Sequence, residues 1–183
     1  MSPITDSPRT VYEGKFQRMV VRGSWEYSER THAGGAAAMI LAVTPDDCVL
    51  LVDQFRVPLQ ARVIEFPAGL VGDENAGESI EASAIRELEE ETGWTADHAE
   101  LLVTCPTSAG ASSEQISFVL ASGLRRISDG GGVDGEDIVV CAIPRKDMPA
   151  WLLAQQAQGK LLDSKLWAGL WMLDHHLDGG RRG

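Results

Sequence analysis

Between Arg86 and Glu91 the chain reads Arg-Glu-Leu-Glu-Glu-Glu. Wound at 3.6 residues per turn, this run puts Glu87, Glu90 and Glu91 at i, i+3 and i+4, on one helical face. Ala84, Ile85 and Leu88 supply apolar packing on other parts of the same helix. Like charges at that spacing destabilise a bare helix by roughly 0.3 kcal/mol per pair. Arg86 reaches Glu90 at i+4, but one guanidinium does not neutralise three carboxylates. Either the face is simply solvated, or a hard divalent cation offsets the repulsion. Magnesium suits the second reading, because it takes oxygen ligands and combines carboxylates with the phosphates of a substrate.

The rest of the composition narrows the class. The 183 residues suit one domain with a small N-terminal addition, and are enough to bury a core without staples. Sixteen basic residues against twenty-seven acidic ones give a net charge of −11. That balance argues against nucleic acid or an anionic membrane as partner. A small phosphorylated substrate stays open, since a bound metal inverts the local field. The longest apolar stretch, residues 36–43, is too short to span a bilayer. The N-terminal MSPITDSPRT has no basic segment followed by an apolar block, so a cytoplasmic protein is expected. Cys48, Cys105 and Cys141 are odd in number, lack metal spacing and lie in or beside apolar runs, which suits reduced core thiols.

Along the chain, residues 10–30 alternate weakly around a Gly-Ser turn and read as a hairpin or small antiparallel sheet. Strands are expected at 36–43, 49–54 and 62–66, then a helix over 78–92 with Gly93 as its left-handed cap. Strands at 101–104 and 115–120 follow, then a flexible acidic loop over 128–137, a buried strand over 138–143, and helices over 146–158 and 164–176. In the last helix Trp167 and Trp171 are expected in the core or at an interface. The adjacent His175 and His176 point in different helical directions and read as surface or capping residues.

The flanks of the acidic helix extend the pattern. Gly72 stands six residues before Glu78, and Glu78 eight before Arg86-Glu87-Leu88-Glu89-Glu90-Glu91-Thr92-Gly93-Trp94. This resembles the Nudix box, glycine, five residues, glutamate, seven residues, R-E-U-x-E-E-x-G-U, with U a bulky apolar residue; every defining position matches over residues 72–94. The resemblance implies an α/β/α sandwich around a mixed sheet, with a small N-terminal antiparallel sheet. It implies divalent-metal hydrolysis of a pyrophosphate, by Mg2+ or Mn2+. Glu87, Glu90 and Glu91 would be metal ligands, while Glu78 and Arg86 would pair to orient loop and helix, with Gly72 opening the motif.

The surrounding chain resembles one branch, the ADP-ribose pyrophosphatases and related nucleotide-sugar hydrolases. Gln54-Phe55-Arg56 and Glu65-Phe66-Pro67-Ala68-Gly69 match its Q-x-R and E-x-P-A-G segments. There the Ala68 carbonyl would complete a metal site, and Arg56 would contact a phosphate or terminal ribose, or pair with a carboxylate. Trp25-Glu26-Tyr27-Ser28-Glu29-Arg30 matches the W-E-x-x-x-R strand. Trp25 would stack on the base, Glu26 accept from it and Arg30 reach phosphate, roles suited to an aromatic face and a guanidinium fork. Val133-Asp134-Gly135-Glu136-Asp137-Ile138 resembles the segment of the branch whose glutamate is the general base, so the base would fall in the acidic loop. Two alignments fit, at Glu136 or at Asp134; Glu136 keeps the glutamate chemistry and the register of the next strand.

The branch implies a homodimer with exchanged N-terminal strands. It divides the chain into residues 1–33, for dimerisation and base binding, a hydrolase domain over 34–178, and a disordered tail over 179–183. One departure concerns the loop after the box. Ala109 stands where the branch carries proline, while Gly110, a substrate-contact position, and Glu114 remain. The expected reaction is cleavage of ADP-ribose or a related nucleoside diphosphate sugar into nucleoside monophosphate and sugar phosphate. GDP-mannose, a dinucleoside polyphosphate or NADH are alternative substrates, and a noncatalytic ADP-ribose sensor is an alternative class.

Overall fold

A computed structural model describes residues 6–31, 36–72, 77–133 and 135–177. The expected Asp134 alternative, the 33/34 boundary and the 179–183 tail lie outside the described residues. The N-terminal run forms three antiparallel strands, β1 (Arg9–Glu13), β2 (Gln17–Arg22) and β3 (Trp25–Arg30), in one small sheet. Two four-stranded sheets follow. One has the order β7 (Ala68–Leu70), β4 (Ala36–Ala42), β10 (Gln115–Ser122), β9 (His98–Pro106). The other has β12 (Ile138–Pro144), β5 (Cys48–Arg56), β6 (Ala61–Glu65), β13 (Leu161–Leu162). A two-stranded pair joins β8 (Trp94–Thr95) to β11 (Arg125–Arg126). The pairing is mixed: β4 runs parallel to β10 and antiparallel to β7.

Among the described residues, three helices cover the sheets: α1 (Ile80–Thr92), α2 (Met148–Ala157) and α3 (Lys165–Leu177). The apolar run of β4 explains the layering. Ala38, Ile40 and Ala42 pack with Ala84 and Leu88 of α1, whereas Met39 and Leu41 pack with Leu152 of α2 and Leu166 and Leu173 of α3. A strand buried on both faces carries no polar alternation, as its sequence requires. The β5 strand splits in the same way, with Leu50 toward α1 and Val49 and Leu51 toward the other core. These two cores, one on each face, make the α/β/α sandwich.

Three expectations are corrected. The strand over 138–143 is not buried: β12 is an edge strand with one neighbour, β5, and Val139 is 51% exposed. Of the core or interface expected for Trp167 and Trp171, the core is ruled out. Both are exposed, on the far side of α3 from Leu166 and Leu173, and Trp171 stacks on His175 at 3.9 Å between ring centroids. The three cysteines are free but half-buried rather than fully enclosed; Cys105 and Cys141 lie against the α2–α3 core.

Candidate active site

Helix α1 is set by its ends. Ser79 is the N-cap, its side chain accepting from the Ala82 amide at 3.1 Å, and Gly93 ends the helix at φ 74°. A side chain at Gly93 would collide with the backbone of Ser128. Between these caps, burying Ala84 and Leu88 fixes the rotation of the helix. Glu87 and Glu91 are then turned toward the β7 segment. The Ala68 amide donates to Glu91 Oε2 at 3.0 Å. Gly69 leaves the space in which the Glu87 carboxylate sits, since a Cβ there would overlap it.

These acids lack compensation. Arg86 is shared among Glu78 (3.4 Å), Glu87 (3.0 Å) and Glu90 (3.3 Å). Burial, with the charges of Glu87 and Glu136 adding, raises the Glu91 pKa to about 8 against the Ala68 amide and the Arg56 charge. Burial also raises Glu87, with Arg86 opposing and Glu90 and Glu136 adding. Two neighbouring acids whose pKa values are both raised, chiefly by burial, form a site that favours added positive charge. The donors are all oxygen, which fits a hard divalent cation. Among the described residues no three such side chains already converge as a preformed cage: Glu87 and Glu91 are engaged by Arg86 and by the Ala68 amide.

Glu87, Glu91 and Glu136 line a single cleft of about 770 Å³, together with Ala68, Arg30 and Arg56. Each arginine is held by an acid of the same cleft. Arg30 pairs with Glu114 at 2.5 Å, and Arg56 makes a two-pronged pair with the buried Glu65, 2.7 Å on each side. Glu90 is not among the lining residues and bonds Arg86 instead. Trp25 and Gly110 meet elsewhere, in a hollow of about 340 Å³ that also includes Tyr27 and Ala109. The Ser28 amide donates to the Ala111 carbonyl at 2.9 Å and the Ser113 amide to the Ser28 carbonyl at 3.1 Å, so β3 is stitched onto that loop. Strand alternation puts Glu26 on the face of Ser28 and Arg30, opposite Trp25 and Tyr27. Trp25 and Glu26 of one strand therefore cannot both face one base from the same side.

Described residues of the acidic loop bond to the end of α1. The Gly131 and Gly132 amides donate to the Glu91 and Glu90 carbonyls at 2.9 and 3.0 Å, and Ile127 and Ser128 donate to the Gly93 carbonyl. The loop is docked on the C-terminal end of α1, whose last carbonyls need donors. The role of Glu65 had a visible residue, in Glu65-Phe66-Pro67-Ala68-Gly69, but no visible partner. Its pairing with Arg56 depends on the β5–β6 register. Asp163 and Lys165, paired at 2.6 Å on the far wall of the cleft, carry no motif signal at all.

The acidic helix, its glycine-lined neighbour and the layered sheets coincide with known proteins. The NUDIX domain model matches residues 33–125. The chain belongs to the Nudix family. A Nudix relative from Mus musculus, an ADP-sugar pyrophosphatase, is 35% identical over 162 residues, 79% of this chain and 71% of that protein. The methanol dehydrogenase activator of Bacillus methanolicus is 35% identical over 108 residues, 59% of this chain and 56% of its own length. The chain thus spans little more than half of that second relative. A solved structure described as an ADP compounds hydrolase superposes with a TM-score of 0.70 over 97% of this chain and 95% of that one, at 22% identity. That likeness speaks for the Nudix fold alone.

Proposed function

We propose that this chain is a Mg2+-dependent hydrolase of ADP-ribose or a related nucleoside diphosphate sugar, releasing nucleoside monophosphate and sugar phosphate. The observation that carries the reading is the cleft itself. The half-buried Glu87, the buried Glu91, the loop acid Glu136 and two arginines share one cavity of about 770 Å³. Glu87, Glu91 and the Ala68 carbonyl, with Glu90 nearby, would hold the cation; Mn2+ could replace magnesium. When bound, that cation supplies charge neutralisation for pyrophosphate oxygens. Arg30 and Arg56 orient the diphosphate by exchanging their present carboxylate partners for phosphate oxygens. Glu136 takes a proton from water as its oxygen bonds to one phosphorus and the bridging P–O bond breaks. Trp25 and Gly110 flank the base.

The mouse relative's designation as an ADP-sugar pyrophosphatase supports this substrate class. Exposed Val11, Tyr12, Phe16 and Met19 on the N-terminal sheet support a homodimer through exchanged N-terminal strands. The half-buried thiols support a reducing compartment such as the cytoplasm. Among the described residues, no helix is long and apolar enough to cross a membrane.

The deciding experiment couples product release to a phosphatase and reads inorganic phosphate. The panel is ADP-ribose, ADP-glucose, UDP-glucose, GDP-mannose, NADH and diadenosine polyphosphates, each with and without Mg2+. Metal-dependent turnover that favours ADP-ribose or ADP-glucose is the expected result. Turnover confined to NADH or dinucleoside polyphosphates would overturn the substrate class. No metal-dependent turnover on any of them would overturn the enzyme reading.

A further inference from the structure

We infer that Gly132 is a positioning residue that holds Glu136 in register with the acidic face of α1; the inference rests on the reading of Glu136 as the proton acceptor. Gly130, Gly131 and Gly132 are consecutive residues at φ 66°, 108° and 82°, a path that side-chain-bearing residues rarely follow. Along it, the Gly131 amide donates to the Glu91 carbonyl and the Gly132 amide to the Glu90 carbonyl. The next residues form a turn. The Glu136 amide donates to the Val133 carbonyl at 3.1 Å, and the Val133 amide donates to Glu136 Oε2 at 3.2 Å. Backbone bonds from Gly131 and Gly132 to α1 and the Val133 amide's bond to the Glu136 carboxylate thus link the last turn of α1 to that carboxylate.

The space over Gly132 completes the device. A Cβ on Gly132 would lie 2.5 Å from Glu136 Oε2 and 2.8 Å from Glu136 Cβ. The carboxylate therefore occupies the place a side chain at 132 would take. Gly131 is a natural control: its φ is equally left-handed, yet a Cβ there would meet nothing nearer than the Ile138 carbonyl at 3.9 Å. Substitution at 131 imposes the backbone penalty alone, while substitution at 132 imposes that penalty and also displaces Glu136.

The test is a double-mutant cycle with ADP-ribose as substrate. G132A is expected to lower kcat about 30-fold with KM within about threefold, and G131A to lower kcat less than threefold. In an E136Q background, G132A should cause no further loss. Mn2+ affinity, read by titration calorimetry without substrate, should match wild type in G132A, because Glu87 and Glu91 are untouched. The same fractional loss from G132A in wild type and in E136Q, or equal losses from G131A and G132A, would overturn the inference. Full turnover by G132A beside an inactive E136Q would overturn it while leaving the base assignment standing. Full turnover by E136Q would remove the base assignment and the inference together. Should G132A fail to fold, amide hydrogen exchange on the wild-type protein decides. Protection at Gly131 and Gly132 is expected, and exchange at the rate of a free loop overturns the docking on which everything here depends.

Discussion

Two acids of this chain are buried to the same degree and behave in opposite ways. Asp53 is 4% exposed and Glu91 is 5% exposed. At Asp53, burial opposes ionisation, but Lys160 at 2.7 Å and Arg62 at 2.7 Å overcome it and hold the carboxyl below its ordinary pKa. At Glu91, the hydrogen-bond partner is a backbone amide, the charges of Glu87 and Glu136 outweigh that of Arg56, and burial above all raises the pKa to about 8. Burial is common to both; local charge balance is what differs. A compensated acid stitches β5, β6 and the segment before β13 together. An uncompensated one stores unfavourable energy that a cation and a substrate can relieve, so the same depth of burial serves structure in one place and chemistry in the other.

That contrast can be broken in four measurements. The largest effect is expected from E91Q, a loss of about 1,000-fold in kcat, equivalent to about 4 kcal/mol, with the fold intact. Retention of activity would place Glu91 among structural acids like Asp53. Next comes the response to magnesium. A ligand that binds only the folded state at a hundredfold over Kd adds about 2.7 kcal/mol. Thermal melts should therefore rise with Mg2+ in wild type and D53N but not in E91Q, and an equal rise in all three would locate the cation elsewhere. D53N should cost about 2 kcal/mol in denaturant unfolding while keeping kcat. The figure is below that for a fully buried pair, because the Arg62 and Lys160 side chains remain 30% and 29% exposed. An unchanged midpoint would mean those cations find water at no cost.

The last measurement is a pH slope in the metal-free protein. Glu91 titrates near 8 in the fold but near the ordinary carboxyl value of 4.5 when unfolded. Between those values the folded state binds the extra proton. Its contribution to stability is present below pH 4.5 and lost as the pH rises through about 8. Melting of cation-free wild type should fall by several degrees from pH 5 to pH 8.5, and E91Q should flatten that fall. Parallel curves for the two proteins would refute the assigned shift.

Local patterns made much of this legible. The i, i+3, i+4 glutamates and Gly93 foretell α1 and its stop, because helix periodicity and a left-handed cap are properties of neighbouring residues. The two-sided apolar run of β4 foretells a strand between two layers for the same reason. The edge position of β12 was not legible, since an apolar run reads alike whether one or two strands flank it. The exposure of Trp167 and Trp171 was equally hidden. Helical spacing says that residues share a face, not which face meets the core.

The sequence by itself determined the chemistry that could be assembled: oxygen donors at helical spacing, a glycine to end the helix, arginines on strands and glycines before a loop acid. These follow from bonds and contacts within a few residues, where chain connectivity already fixes distance. Only the tertiary structure decided who meets whom. It placed Glu65 against Arg56 through the β5–β6 register and Glu114 against Arg30 across 84 residues. It docked the Gly130–Gly132 run on the free carbonyls of α1, turning what reads as a loose loop into a fixed support for Glu136. It also gave Asp53 two directly paired cations, while the Arg56 charge acts on Glu91 only weakly against the neighbouring glutamates. Charge balance in a buried place is a sum over elements far apart in the chain, and no local pattern contains that sum.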